Sequence, residues 1–455
     1  MNNSASTLII PVETQVREMD AKILLSCIAA ESGFPVIMGS RAFLHFQVAS
    51  IPRGVYLAKS MRSLSIRMFK ILRQLGHEIV AWDEEGLLRE PDEQYYRWRL
   101  SPITIRQISH LIAWGPDDAR AFRDYPGYSD APIHITGNPR IDLLRPELRD
   151  FYQPRVTKIR DRYGDFILVN TNFSKVNHFY TDLSELKRAV ETTESGGAHP
   201  YDVGKGHHKL ALFQHFQEML PSLCESLPDQ TVVLRPHPAE NHTPWLDIAE
   251  RCPNLRVDNE GNVFPWLMAA KAVVANGCTT MVEGAVLDTP TVSFQPVAAP
   301  EYDFDLPHAV SHQASSIDEL CSTISDIVAG KLGPLDYSAR RQVLDRHIAA
   351  LDGALASERL VTVFEKAEYD RQPPPAVPMG QFIGAWLHTK ARTTVKQINM
   401  RRPGHRNNLA YHAHRFPDTS VEEISARIAH FGQLLNRFDT VRVREHSKHI
   451  FWITT

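Results

Sequence analysis

Short, uninterrupted apolar runs alternate with amphipathic stretches along this chain, and after one break the same alternation starts again. In the first part the runs are "STLIIPV", "FPVIMGS", "GVYLAK", "HEIVAW", "HLIAWG" and "PIHITGN", with helical spacing in "REMDAKILLSCIAAESG" and "SIRMFKILRQLG". Continuous apolar runs separated by helices predict parallel strands covered on both faces. After "NPRIDLLRPELRDFYQP" the pattern resumes with strands "DFILVNTN", "QTVVLRPHP", "NLRVDN", "AVVANG" and "PTVSFQP" and with helices including "KLALFQHFQEMLPSL" and "TTMVEGAVLD". The prediction is an α/β chain of two doubly wound domains, 1–150 and 151–335. Residues 336–455 are expected to be a helical C-terminal extension, with a stiff Pro-rich linker near 371–379 in "RQPPPAVPMG". The polar stretch 172–207 is too long for a plain connector and is expected to be a lid or binding loop.

At 455 residues the chain is long enough for two cores, and its 43% hydrophobic and 23% charged residues are those of a globular protein. A formal net charge of -3 gives no global attraction to nucleic acid, which is not an expected partner. The cysteines at 27, 224, 252, 278 and 321 are scattered without C-x-x-C spacing, which argues against a disulfide framework or structural zinc and for a reducing cytoplasm. The N-terminal "MNNSASTLIIPVETQ" lacks a signal-peptide pattern, and no apolar stretch approaches the ~18 residues of a membrane span.

Ligands of doubly wound sheets sit beyond the carboxyl ends of the strands, so polar residues there are the functional candidates. They are Asp83-Glu84-Glu85-Gly86, Asn170-Thr171-Asn172, Arg235-Pro236-His237-Pro238 and Asn276-Gly277-Cys278-Thr279-Thr280. Each has an ordinary reading too: a solvated acidic turn, a proline-stiffened loop, and a plain helix start with Thr279 or Thr280 as N-cap and Glu283 completing a capping box. A helix start is nevertheless a phosphate site by construction, because its free N–H groups and dipole favour an anion. Thr279, Thr280 and His237 are expected to hold one phosphate, with Asn172, Arg235, Pro238, Asn276 and Gly277 around it and Glu283 on the ribose. Repulsion among Asp83, Glu84 and Glu85 is expected to raise a carboxyl pKa and make a general base for an acceptor hydroxyl. A phosphate site in one domain and acids in the other suggest group transfer across an interdomain cleft.

Acidic residues followed by glycine, then a His-Pro pair, then a hydroxyl pair at a helix start make an ordered trio, here "DEEG", "HP" and "TT". The trio resembles that of bacterial sialyltransferases and Kdo transferases of the GT-B type. The chain also looks like surface carbohydrate biosynthesis proteins over roughly residues 7–300, through "LIIPVETQVREMDAKILLSCIAAESGFPVIMGSR", "KILRQLGHEIVAWDEEG" and "VVANGCTTMVEGAVLDTPTVSF". The resemblance implies two Rossmann-like domains facing across a cleft, an acceptor domain followed by a nucleotide-sugar domain. It implies transfer of a 2-keto-3-deoxy sugar acid (Kdo, sialic acid or another nonulosonate) from a CMP donor to a surface glycan or glycolipid precursor, as in capsule or lipopolysaccharide assembly. Asp83 or Glu84 becomes the acid/base, His237 the phosphate ligand or leaving-group acid, and Thr279 and Thr280 the phosphate hydroxyls.

The hydroxyl pair is threonine where sialyltransferases usually have serine, and a third carboxylate, Glu85, leaves open which acid acts. No D-x-D at a strand end calls for a divalent ion, so neither metal nor cofactor is expected, the CMP-activated sugar being the donor substrate. Two other chemistries fit the pattern, a CDP-alditol glycerophosphotransferase with a second histidine as base and a UDP-sugar 2-epimerase; an inactive capsule-assembly scaffold is the non-enzymatic alternative. "TGNPRIDLL" supports the two-domain architecture without separating these chemistries. The basic tail, with Arg401, Arg402, Arg406 and Arg415, is a solvated surface or a dock for anionic lipid or glycan at the inner membrane.

Overall fold

The computed structural model describes residues 5–180, 184, 186, 189, 199–401 and 409–455. Arg402 and Arg406 of the basic tail, and most of 181–198 within the expected binding loop, lie outside the described residues. The chain divides into two units, Met1–Leu87 with Asp92–Phe151 and Asp345–Thr455, and Leu88–Pro91 with Tyr152–Leu344.

The first unit is built on an eight-stranded sheet. Its parallel strands are β1 (Thr7–Val12), β2 (Val36–Ser40), β3 (Gly54–Ala58), β4 (Glu78–Ala81), β5 (His110–Ala113) and β6 (Ile133–Ile135), in the order β2-β1-β3-β4-β5-β6. β1, β2 and β3 are buried along their whole length, as continuous apolar runs require when both faces are covered. Helix Gln15–Glu31 is buried on nearly every side, because the C-terminal helices Ala356–Lys366 and Val421–Leu435 pack on the side turned away from the sheet. Asp20 on this helix is paired with Arg427 at 2.9 Å.

The C-terminal region does carry helices, but it ends in two strands that the sequence reading did not anticipate. The antiparallel pair β13 (Arg442–Ser447) and β14 (Ile450–Thr454) extends the first sheet, with β14 antiparallel to β2. Gly39 makes this possible: a Cβ there would lie 2.2 Å from the carbonyl oxygen of His449. Contact with β2 places β14, and pairing with β14 decides β13, whose "RVREHS" alone is too polar to announce a strand.

The second unit carries a six-stranded, all-parallel sheet of β7 (Phe166–Asn170), β8 (Thr231–Arg235), β9 (Leu255–Val257), β10 (Ala272–Ala275), β11 (Thr291–Phe294) and β12 (His312–Ala314), ordered β12-β11-β10-β7-β8-β9. Its core is formed by apolar residues of β7, β8 and β10 against helix Pro200–Ser226, including Phe216, Met219 and Leu220. That helix starts inside the polar stretch expected as loop, since Pro200 takes the first helical position and the His199 ring accepts the N–H of Tyr201. Residues 200–207 are therefore helical. All five cysteines are free thiols.

Candidate functional site

A doubly wound sheet opens a crevice at the carboxyl edge where its strand order reverses. The reversal falls between β1 and β3 in the first sheet and between β7 and β10 in the second. Every candidate strand end lies at such an edge: Asp83–Glu85 after β4, Asn172 after β7, His237 after β8 and Thr279 after β10.

In the first unit the crevice is filled with ion pairs. Lys59, just past β3, reaches Glu13 at 3.2 Å and Glu18 at 2.5 Å. The Glu18 carboxylate also accepts the backbone N–H groups of Glu13 and Thr14 and so holds the turn after β1. Arg41 and Arg415 pair with Glu13 as well, at 2.7 and 2.9 Å. Burial alone would push the Glu13 carboxyl up, but Lys59, Arg41 and Arg415 together hold it far below the usual range.

The acidic trio behaves differently from the expectation that its members repel. β4 continues as extended chain, with the Glu84 N–H donating to the Lys59 carbonyl, so consecutive side chains point to opposite faces. Asp83 is fully buried and gripped by the Arg99 guanidinium, whose Nε donates at 2.8 Å, with Tyr95 at 3.3 Å. Glu84 turns the other way, accepting from Lys22 and from the Trp82 indole at 2.9 Å each. Burial works to raise the Glu84 pKa, yet Lys22 and Lys59 outweigh it and bring it down to about 2. Glu85 is opposed by burial in the same way, and Arg99, Arg17 and Lys59 lower it on balance. Each carboxylate thus has a cationic partner, and repulsion does not raise Glu84 or Glu85. Glu85 has the exposed side chain of the three, at 58%, against 10% for Glu84 and 1% for Asp83.

In the second unit the crevice holds few charges and several unmet polar groups. Asn172 donates to the carbonyls of Asn276 and Gly277 at 3.1 Å, tying the ends of β7 and β10 together, while its Oδ1 has no hydrogen-bond partner among the described residues. Asn276 is itself held by the Phe294 carbonyl. Gly277 adopts a φ of +52°, the left-handed region that an L side chain enters only with strain. The next helix, Thr279–Val286, has Cys278 as N-cap rather than a threonine, and no side chain caps its N–H groups. Thr279 and Thr280 therefore occupy the first two helical positions, and the buried Thr280 hydroxyl has no partner among the described residues. Glu283 lies buried in the second turn, so the expected capping box is absent.

His237 follows β8, two strands from β10, a spacing of about 10 Å between strand axes. Its Nδ1 accepts the Ala239 N–H at 3.2 Å, which leaves Nε2 as the donor of the neutral ring, and Pro238 stiffens the turn between them. Beneath the turn sits Glu240, which accepts from the N–H groups of His237 and Phe173, the Thr171 hydroxyl and the Trp245 indole. Burial dominates over these donors and raises Glu240 to about 7. Arg235, expected at the phosphate, instead donates to the carbonyls of Glu260 and Gly261 and stacks 5.2 Å from the Trp266 ring. Its role there is to shape the loop after β9.

Scans of the sequence find no matching family model and no matching curated protein. Solved structures do match. The wall teichoic acid polymerase TagF aligns with a TM-score of 0.50 and 11% identity, covering 80% of this chain and 88% of that one. A histidine-to-asparagine variant of that polymerase gives 0.51 and 11%, over 80% and 89%. UDP-N-acetylglucosamine 2-epimerase gives 0.50 and 10%, over 83% of this chain and all of the other. The fold is GT-B.

Within the GT-B fold the sequence reading missed the cations. Lys22, Arg41, Lys59 and Arg99 lie on elements whose register it had not aligned, and Arg415 comes from the C-terminal region. On helix Pro200–Ser226 it missed Lys205 and Lys209, one turn apart on the same face. Lys205 pairs with Glu90 and lies 5.2 Å from the Phe304 ring, itself 3.4 Å from where a Gly277 Cβ would be. Lys209 is buried, within electrostatic range of Asp303 and Cys278; among the described residues its ammonium makes no ion pair, and it lies 6.0 Å from the Phe173 ring. Burial, with Lys205 adding to it, lowers Lys209 to about 8. Their i, i+4 spacing was the available signal, obscured by reading 172–207 as loop.

Proposed function

We propose that this chain is a nucleotide-sugar-dependent transferase of surface glycan assembly, with a CMP-linked 2-keto sugar acid as donor. The observation that carries the reading is the second unit's switch point. There an uncapped helix start and, among the described residues, a Thr280 hydroxyl without a hydrogen bond and a buried Lys209 ammonium without an ion pair share one strand edge with His237. These are groups an anion satisfies, and the cost of leaving them unmet favours a bound phosphate. His237 Nε2 would donate to the departing phosphate, neutralising charge as it develops. In the first unit Glu85 would receive the acceptor hydroxyl, since it is the carboxylate of the trio with solvent access, while Asp83 and Glu84 hold it in place through Arg99, Trp82 and Lys22. The acceptor is a glycan or glycolipid.

A CDP-alditol donor is the second reading. Lys205 beside Lys209 would serve a second phosphate if that phosphate displaced its Glu90 partner, and the teichoic acid polymerase shares the fold. Calorimetry with CMP, CDP and UDP tests both. Tightest binding of CMP supports the first reading, CDP the second, and UDP points to an epimerase. Unchanged binding and turnover in His237→Ala would refute the role given to that residue.

A further inference from the structure

Among the described residues, helix Met379–Met400 is packed on one side alone. Ala385 and Thr389 are buried, Phe382 rests on the core of the first unit, and the Thr393 hydroxyl donates to the Phe46 carbonyl at 3.1 Å. At 100° per residue, the opposite arc consists of Ile383, Leu387, Ala391, Thr394, Val395 and Ile398, with glycines towards its start. The large apolar side chains of this arc stand in solvent, Leu387 at 57%, Val395 at 58% and Ile398 at 55% exposure. Scattered exposed apolar residues need no explanation, but an uncharged arc sustained over five to six turns of one helix does.

Charge selects the occupant. The helix "MGQFIGAWLHTKARTTVKQINM" contains no acidic residue. Lys390 borders the apolar arc, 5.5 Å from the Trp386 ring, and on its other margin Arg67 of a neighbouring helix bonds His388 at 2.8 Å, while Lys396 lies on the packed side, 5.5 Å from the Phe46 ring. A second copy laid on this arc would set these cations against their own kind. A bilayer with anionic headgroups meets both features, taking the apolar side chains below the headgroups while tryptophan and lysine stay at their level. No helix among the described residues is long and apolar enough to cross a membrane, so the contact is one of lying on the surface.

We propose that helix Met379–Met400 is the face by which this protein docks on an anionic lipid bilayer, its outward apolar arc inserted at the headgroup–acyl boundary. The docking face is independent of the donor chemistry assigned above. Full-length protein would be sedimented with vesicles of phosphatidylcholine containing a third phosphatidylglycerol, and with phosphatidylcholine alone. Binding to the anionic vesicles, weakened several-fold on the zwitterionic ones, is expected, with a loss of roughly tenfold or more in the double variant Leu387→Glu, Ile398→Glu. Both positions are exposed, so the thermal melt should be unchanged; if it is not, the milder Leu387→Asn replaces the pair. Absence of wild-type binding, or equal binding by the folded variant, overturns the proposal. So does a dimer in sedimentation velocity that the variant converts to monomer, which would give the arc to a second copy. CMP binding in the same samples reports on the donor site separately.

Discussion

The two strand edges differ in how their polar groups are satisfied. At the first sheet, Asp83, Glu84, Glu13 and Glu18 are each met by Arg99, Lys22, Lys59, Arg41 or Arg415. At the second, the Thr280 hydroxyl and Asn172 Oδ1 lack partners among the described residues, and the buried Lys209 ammonium feels Asp303 without forming an ion pair among those residues. A self-satisfied edge is rigid and holds a chosen carboxylate in place, whereas an edge with unmet donors is completed by what binds it. The first edge is thus organised before binding, and on the proposed reading the second is completed by an anion.

The largest effect that could break this contrast is at Asp83. Asp83→Ala removes the buried partner of the half-buried Arg99, which keeps only its bond to the exposed Glu85, and should cost about 2–3 kcal/mol in urea unfolding, while Glu85→Gln, on the exposed acid, should cost under about 1 kcal/mol and lower turnover instead. Equal destabilisation by both would erase the distinction between scaffold and acting carboxylate.

Next comes Glu240. Because its folded pKa is raised to about 7 from an ordinary 4.5, the native state binds the extra proton between those values. Its contribution to stability is fully present below pH 4.5 and is lost as pH rises through 7. Wild-type stability should therefore fall by on the order of 2 kcal/mol relative to Glu240→Gln between pH 5 and pH 8, read from denaturation midpoints.

Lys209 gives a smaller effect in affinity. Lys209→Met should weaken nucleotide binding about tenfold with stability unchanged or improved, since a buried charge is replaced by an apolar chain of similar length. Wild-type affinity should also decline as pH rises through about 8, where the lowered amine loses its proton, and the variant should show no such decline in calorimetry.

Thr280→Val sharpens the comparison most finely. The hydroxyl makes no hydrogen bond among the described residues, so its removal should leave the melting temperature within a degree or two, while CMP affinity drops a few-fold, about 1 kcal/mol. A large loss of stability would show that the group is already satisfied in the free protein.

Periodicity carried the two parallel sheets, because strands covered on both faces must be apolar throughout, and that pattern is local. The placing of Asn172, His237 and Thr279 at strand ends followed from the same pattern, since a strand's polar residue appears where its burial ends. Pairing was not local. Lys22 meets Glu84 and Arg415 meets Glu13 over long separations in the chain, so the pairing of the ionised acidic trio with cations could not be read from "DEEG" itself. Nor could the last strand, whose partner is β2, be found from its own residues. The sequence by itself determined which segments are the parallel strands and which polar residues end them. The tertiary structure alone decided which charges meet, and hence which groups are spent on the fold and which remain for a ligand, because electrostatic satisfaction depends on distance in space and not on spacing in the chain.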